Sequence, residues 1–199
     1  ILSKEEQEKL RSFKRDDFRR RYGVARVALR RVLAKYLSIN EKEILFSTLE
    51  KGKPFIPGAE LSFNISHTDN RALIAIAGSE LSHVGIDIEL KDRTIDAMSL
   101  AERFFTKEEF EYIAHVSSEY RADVFVRFWV LKEAFLKALG VGLSGGLDTF
   151  RVQLAGGDNS LLSCDAKWGC VDRWQLKSLG VEPGYCGAIA VSDRSDSNK

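Results

Sequence analysis

The chain has 199 residues, 44% of them apolar, and a formal net charge of +1 from 30 Lys and Arg against 29 Asp and Glu. That suffices for one globular unit or two small halves packed together, and no apolar run approaches the roughly 20 residues of a membrane-spanning helix. Its three cysteines, Cys164, Cys170 and Cys186, match neither a disulfide framework nor a zinc spacing, so idle thiols in a reducing, cytoplasmic compartment are expected. The opening Ile1-Leu2-Ser3-Lys4-Glu5-Glu6 runs straight into charge, unlike a secretory leader. It is also abrupt, so a few residues of a natural N-terminus are expected ahead of it.

Between Lys9 and Lys35 stand eleven lysines and arginines against Asp16 and Asp17. Such a block reads either as a surface for an anionic partner or as a solvated helix face. Tyr22, Ala25, Leu29, Val32 and Tyr36 recur at steps of three and four, which predicts a helix over about 16–37 with the arginines on its other faces. Lys51-Gly52-Lys53-Pro54 and Pro57-Gly58 read as turns. Alternation of Leu61, Phe63 and Ile65 predicts a strand over 61–65, closed by a polar loop from Asn64 to Asn70. Two more strands follow at 72–77 and 84–89. After a crossing at 91–98, helices are expected at 99–115 and 119–139, and strands at 148–154, 173–179 and 186–192. Gly140–Gly146 and Gly156–Gly157 read as breaks, and 193–199 as a frayed polar end. The fold class is therefore α+β, in two halves (1–92 and 93–199) of helical segments preceding three-stranded stretches.

Three segments carry chemistry. In Val84-Gly85-Ile86-Asp87-Ile88-Glu89, strand alternation turns Asp87 and Glu89 to one face, about 7 Å apart at their roots. They read as hard oxygen ligands suited to Mg²⁺, or as the wet side of a half-exposed strand. Around 128–137, Phe125, Phe128, Leu131, Phe135 and Leu139 form an apolar arc, with Trp129, Glu133 and Lys137 on an adjoining stripe. Lys132 falls inside that arc, where its ammonium must snorkel out or meet an anion. Glu133 and Lys137 are an i,i+4 ion pair, or a metal ligand or base beside a phosphate contact. His67 reads as a hydrogen-bond donor to an anion or as a structural histidine. Neither a Walker motif nor Gly-x-Gly-x-x-Gly occurs, and Gly140–Gly146 reads as a helix terminator.

Gly52-Lys53-Pro54, Phe63-Asn64-Ile65-Ser66-His67, Gly85-Ile86-Asp87-Ile88-Glu89, Phe104-Phe105-Thr106-Lys107-Glu108-Glu109 and Trp129-Val130-Leu131-Lys132-Glu133-Ala134-Phe135-Leu136-Lys137 occur in that order. Together they closely resemble the 4′-phosphopantetheinyl transferases of the surfactin-synthetase-activating type, from about residue 9 to 154 and more loosely to Ala190. The resemblance implies two α+β halves in pseudo-twofold arrangement, each a small antiparallel sheet packed with helices, with coenzyme A in the cleft between them. It implies that Asp87, Glu89 and Glu133 hold Mg²⁺, with Mn²⁺ as the other candidate, on the coenzyme A diphosphate. Glu133 would also be the base, directly or through water, and Lys132 and Lys137 would face phosphates. Lys53, His67 and Ser66 would lie at the 3′-phosphate, the backbone of Gly52 and Pro54 against adenine, and Lys9 and Arg21 among looser coenzyme A contacts. Glu109 would support the site by hydrogen bonds.

The implied partners are coenzyme A as co-substrate and an acidic apo acyl or peptidyl carrier protein of fatty-acid, polyketide or nonribosomal peptide synthesis. That carrier would be steered by the basic helix and docked near Leu100, Phe104 and Phe105, although core packing explains the two phenylalanines equally well. Nucleic acid and membrane are not implied as partners. Family members usually begin with a further strand and loop ahead of the segment that opens this chain. A glutamate at position 89 implies a complete three-carboxylate set and the monomeric two-half subtype, not the short trimeric carrier synthases. Two rivals stand beside this reading. A non-catalytic coenzyme A or carrier-binding module predicts loss of a metal carboxylate. A Mg²⁺-dependent phosphoesterase acting on nucleic acid predicts salt-sensitive DNA or RNA binding.

Overall fold

The computed structural model describes residues 1–92, 94–155 and 158–193, with Asp158 described by its backbone alone. The predicted break at Gly156–Gly157 and the polar end from 194 lie outside the described residues. The first helix, α1 (Lys4–Ser12), was not anticipated. Ser3 caps it, accepting from the Glu6 amide while the Glu6 carboxylate accepts from the Ser3 amide, a reciprocal box that satisfies two otherwise orphaned donors. The long basic helix α2 spans Asp16–Leu37.

The face that α2 buries differs from the expected stripe. Ala25, Leu29, Leu33 and Ala34 are buried, whereas Tyr36 is 67% exposed. The leucines fill the space over Ile44 and Phe63, which leaves the tyrosine to the rim. Nor do all the arginines face solvent. Arg30 is 1% exposed and pairs with Glu6 at 2.7 Å, while its guanidinium also donates to the Glu41 and Ile44 carbonyls. Glu6 holds Arg26 as well, so α1 neutralises two charges of the block.

A small hairpin of β1 (Ser47–Thr48) and β2 (Pro54–Phe55) turns through Gly52, whose φ of +87° suits glycine. Next come β3 (Ser62–Thr68) and β4 (Arg71–Ala77), paired antiparallel with Thr68 opposite Arg71. The expected polar loop from Asn64 is thus mostly strand, and only Asp69 and Asn70 turn. Its polar side chains sit in a strand because they meet polar partners on the neighbouring one. That neighbour, β5 (Leu81–Leu90), carries the Asp-x-Glu pair.

Three helices follow: α3 (Ala97–Phe104), α4 (Lys107–His115) and α5 (Ser118–Leu139). The single helix expected over 99–115 is broken because Thr106 caps α4 in a second reciprocal box with Glu109. Helix α5 ends where Gly140 takes φ +74°, the left-handed conformation that terminates helices. The C-terminal strands are β6 (Arg151–Gln153), β7 (Asp158–Ser163), β8 (Trp174–Leu179) and β9 (Tyr185–Asp193). Strand β7 was not anticipated, and β6 is shorter than expected. Together with β5 they form one antiparallel sheet in the order β5-β9-β8-β7-β6. The molecule is thus a mixed helix-and-sheet fold built on small antiparallel sheets. Helix α5 lies across β5 and β9, burying Phe125, Phe128, Leu131 and Phe135 against Ala188 and Ala190. Among the described residues no helix is long and apolar enough to cross a membrane.

Candidate active site

The site forms where β5 meets α5, and Gly85 sets how closely they meet. A β-carbon built on Gly85 collides with the Ala134 carbonyl and stands 2.8 Å from Ala138 Cα. Only a glycine lets strand and helix approach this far. Two residues along the strand, Asp87 lies within reach of Lys137, one turn beyond Glu133 on the helix.

Strand β3 supplies the other wall. Asn64, Ser66 and Thr68 share a face by strand alternation. Asn64 Oδ1 accepts the Ile86 amide at 2.9 Å, stitching β5 to β3 where no ladder bond exists. Ser66 Oγ donates to Asp87 Oδ1 at 2.7 Å and accepts from Lys137 Nζ at 2.8 Å. Lys137 donates in turn to Asp87 Oδ1 at 2.5 Å. Thr68 hydrogen-bonds Glu89.

Asp87 is 1% exposed, and its Oδ2 is enclosed without any hydrogen-bond partner. A buried carboxylate oxygen left unpaired is costly and needs a counterpart. Burial pushes Glu89 above the ordinary carboxylate value, and the Asp87 charge adds to it, against the Thr68 bond and Lys137. Burial likewise raises Glu133; Lys137 opposes this, and the Asp87 and Glu89 charges reinforce it. Three carboxylates therefore share one neighbourhood, set against the Lys137 ammonium. Among the described residues, no three His, Cys, Asp or Glu side chains are closed onto a metal-holding point. The hard oxygen donors, with the orphaned Asp87 Oδ2, fit a Mg²⁺ ion that takes one or two carboxylates and completes its shell with water and substrate phosphate.

The remaining expected residues separate into two groups. Arg21 and His67 come together in a cleft of about 310 Å³ between α2 and the β3–β4 hairpin, lined also by Arg20, Val24, Asp69 and Arg71. His67 is exposed there, yet packing around its ring, then the Lys137 and Arg21 charges, push it below the usual imidazole value.

Lys132 is the main correction. It is 0% exposed, donates to the Leu147 and Phe150 carbonyls at 2.7 and 2.6 Å, and pairs with Glu109 at 2.9 Å. Three acceptors take up its three protons, so its ammonium faces no ligand. Glu109 is equally occupied, accepting from the Thr106 and Val152 amides. Lys53 donates to the Val84 and Ala138 carbonyls at 2.9 and 2.7 Å, and burial lowers it to about 8. It clamps the hairpin of Gly52 and Pro54 onto the end of α5. Lys9 is exposed on α1, its Nζ 5.4 Å from the centre of the Tyr22 ring. Phe105 is a core residue, stacked on Phe125 at 4.9 Å, whereas Leu100 and Phe104 are half-buried. The roles of Asn64, Thr68 and Asp69 were missed. For the first two the signal was present, as polar residues spaced by two beside Ser66.

Family models match the chain in two parts: residues 1–80 fit the N-terminal 4′-phosphopantetheinyl transferase model, and residues 83–190 the 4′-phosphopantetheinyl transferase superfamily. The chain is 34% identical over 194 residues to the 4′-phosphopantetheinyl transferase Sfp of Bacillus subtilis, covering 96% of this chain and 83% of that protein. It is 32% identical over 195 residues to the 4′-phosphopantetheinyl transferase HetI of Nostoc, covering 96% and 78%. A crystal structure of Thermotoga maritima holo-[acyl-carrier-protein] synthase matches with a TM-score of 0.47 and 24% identity, over 57% of this chain and 64% of that one. With both stretches matched and a third of its residues shared with such relatives, the chain belongs to the 4′-phosphopantetheinyl transferase superfamily, as an Sfp-like member.

Proposed function

We propose that this transferase moves the phosphopantetheine arm of coenzyme A onto a serine of an apo carrier protein, releasing 3′,5′-ADP. The observation that carries the reading is the Ser66–Lys137–Asp87 triangle, with Asp87 Oδ2 unpartnered beside two carboxylates raised by burial. Asp87, Glu89 and Glu133 would hold Mg²⁺, or Mn²⁺ in its place, and the ion would supply charge neutralisation at the diphosphate. Glu133 takes a proton from the serine hydroxyl, directly or through water. The serine oxygen bonds to the phosphorus bearing the arm as the bond to 3′,5′-ADP breaks, and no covalent enzyme intermediate is needed. Lys137 directs its ammonium to the growing phosphate charge. The 3′-phosphate would sit with Arg21 and His67, and the adenine against the Gly52–Pro54 backbone.

Exposed Arg11, Lys14, Arg20 and Lys35 on and around α2 suit an acidic acyl or peptidyl carrier, of fatty-acid, polyketide or nonribosomal peptide synthesis. Much of the basic block is internally paired, Arg15 with Asp17, Arg19 with Asp16, and Arg26 and Arg30 with Glu6, which weakens a nucleic-acid reading. The protein is read as a cytoplasmic monomer of two halves, 1–92 and 93–199; the free thiols of Cys164, Cys170 and Cys186 suit a reducing compartment. Chromatographic detection of 3′,5′-ADP tests the proposal: release must require coenzyme A, apo carrier and divalent cation together. Release without carrier would point to hydrolysis instead.

A further inference from the structure

Asp69 departs from the local rules. It occupies the turn between β3 and β4 with φ +46°, a left-handed conformation that few residues other than glycine adopt. A two-residue hairpin needs positive φ, and Asp is among the few residues besides glycine that accept it; the turn does not, however, require the two contacts its carboxylate makes. The side chain is tied at both ends. Its Oδ2 accepts from the Tyr185 hydroxyl of β9 at 2.9 Å, and its Oδ1 faces the Arg21 guanidinium of α2 at 3.5 Å. Both Arg21 and Asp69 line the cleft that also contains His67. A carboxylate fixed from the sheet side thus occupies an arginine that lines the cleft beside His67. The pair is half-exposed, with side-chain exposures of 32% and 39%, so it opens readily and its strength depends on salt.

We infer that Asp69 is a positioning residue that sets the phosphate affinity of this cleft, holding Arg21 as an internal counter-charge which the ligand phosphate must displace. The inference rests on the reading that the 3′-phosphate of coenzyme A enters here. A phosphate monoester carries a charge of about −1.5 to −2 and outcompetes a single carboxylate, whereas a ligand lacking that group leaves the Arg21–Asp69 pair in place. The consequence is moderated affinity for both substrate and product, since coenzyme A and 3′,5′-ADP carry the same 3′-phosphate. Tyr185 sits opposite Leu90, adjoining Glu89 on β5, so the tie also fixes the cleft relative to the strand bearing the carboxylates.

Calorimetric titration of coenzyme A, 3′,5′-ADP and 3′-dephospho-coenzyme A into the wild type, Asp69→Asn and Asp69→Gly tests this. Asparagine and glycine both tolerate the left-handed turn, so folding is preserved while the charge is removed. The expected result is that both variants bind coenzyme A and 3′,5′-ADP about three- to fivefold more tightly at low salt, the size of effect a half-exposed ion pair gives. The gain shrinks at high salt, and dephospho-coenzyme A binding stays within about twofold. A purely structural Asp69 would instead weaken all three ligands alike, and that result overturns the inference. Unchanged or weaker coenzyme A binding in both variants, with the wild type still preferring it to the dephospho form, overturns the counter-charge and leaves the cleft assignment standing. A wild type that binds the two coenzymes equally removes the 3′-phosphate from this cleft and the inference with it.

Discussion

Gly85 of β5 lies against the backbone of α5 so closely that a β-carbon there runs into the Ala134 carbonyl. That contact brings Lys137 to Asp87. Gly85→Ala therefore pushes helix and strand apart at the point where the site is assembled. Because both obstructing groups are backbone, relief by side-chain rotation is not available. The expected loss is about 3 kcal/mol, read as a shift in the urea midpoint, with transfer activity falling further than stability alone explains. A variant as stable and active as the wild type would show that the close approach is dispensable.

Lys132 behaves as a structural cation. Lys132→Ala leaves the Leu147 and Phe150 carbonyls and the Glu109 carboxylate without their shared partner. Breaking a buried pair of this kind costs about 3–5 kcal/mol, which for a chain of this length lowers Tm by about 6–20 °C. Direct phosphate contact predicts the reverse pattern, a higher KM for coenzyme A at unchanged Tm.

Lys53 can be separated from a ligand role in the same way. Lys53→Met strands the Val84 and Ala138 carbonyls, and the expected cost is about 1–3 kcal/mol by thermal unfolding. Coenzyme A affinity that falls with no loss of stability would return Lys53 to the phosphate.

Glu89 and Glu133 are expected to destabilise the cation-free protein. The folded-state pKa values of Glu89 and Glu133 lie above the ordinary 4.5. Their contribution to stability is thus fully present below about pH 4.5 and lost as pH rises through the raised folded values. Near neutral pH, Glu133→Gln removes one such charge and should raise Tm by about 1–2 °C while abolishing transfer. The gain should fade as pH falls toward 4.5. His67 has the opposite dependence: packing around its ring and neighbouring cations depress it, so its contribution is present above pH 6.5 and lost as pH falls through the depressed value. Differential scanning across pH 4–8 checks both signs. A Glu133→Gln variant less stable at every pH would contradict the first.

The sequence made the strands and long helices legible where a clean period existed, as in α2 and α5. The Asp87–Glu89 strand and the Glu133–Lys137 stripe also came through, because local spacing alone places those side chains. Two capping boxes, Ser3 with Glu6 and Thr106 with Glu109, were written in the sequence as Ser/Thr-x-x-Glu but passed over, which hid α1 and the break before α4. What spacing cannot show is pairing between distant segments. Lys132 looked like an ammonium waiting for a ligand because Glu109 and the 147–150 turn meet it only in three dimensions. Asn64–Asn70 looked like a loop because Asn64, Ser66 and Thr68 are satisfied by β5 and not by water. Tyr185, which holds Asp69 from the far end of the chain, carried no local signal.

The most direct measurement is the intact mass of an apo carrier protein after incubation with this enzyme, coenzyme A and Mg²⁺. The expected result is a gain of one phosphopantetheine, lost with a chelator and in Glu133→Gln, and restored by Mg²⁺ in the chelated wild type. An unmodified carrier across acyl and peptidyl types, from folded protein that binds coenzyme A, would contradict the transferase reading. Full modification by Glu133→Gln would contradict the roles given to its carboxylate.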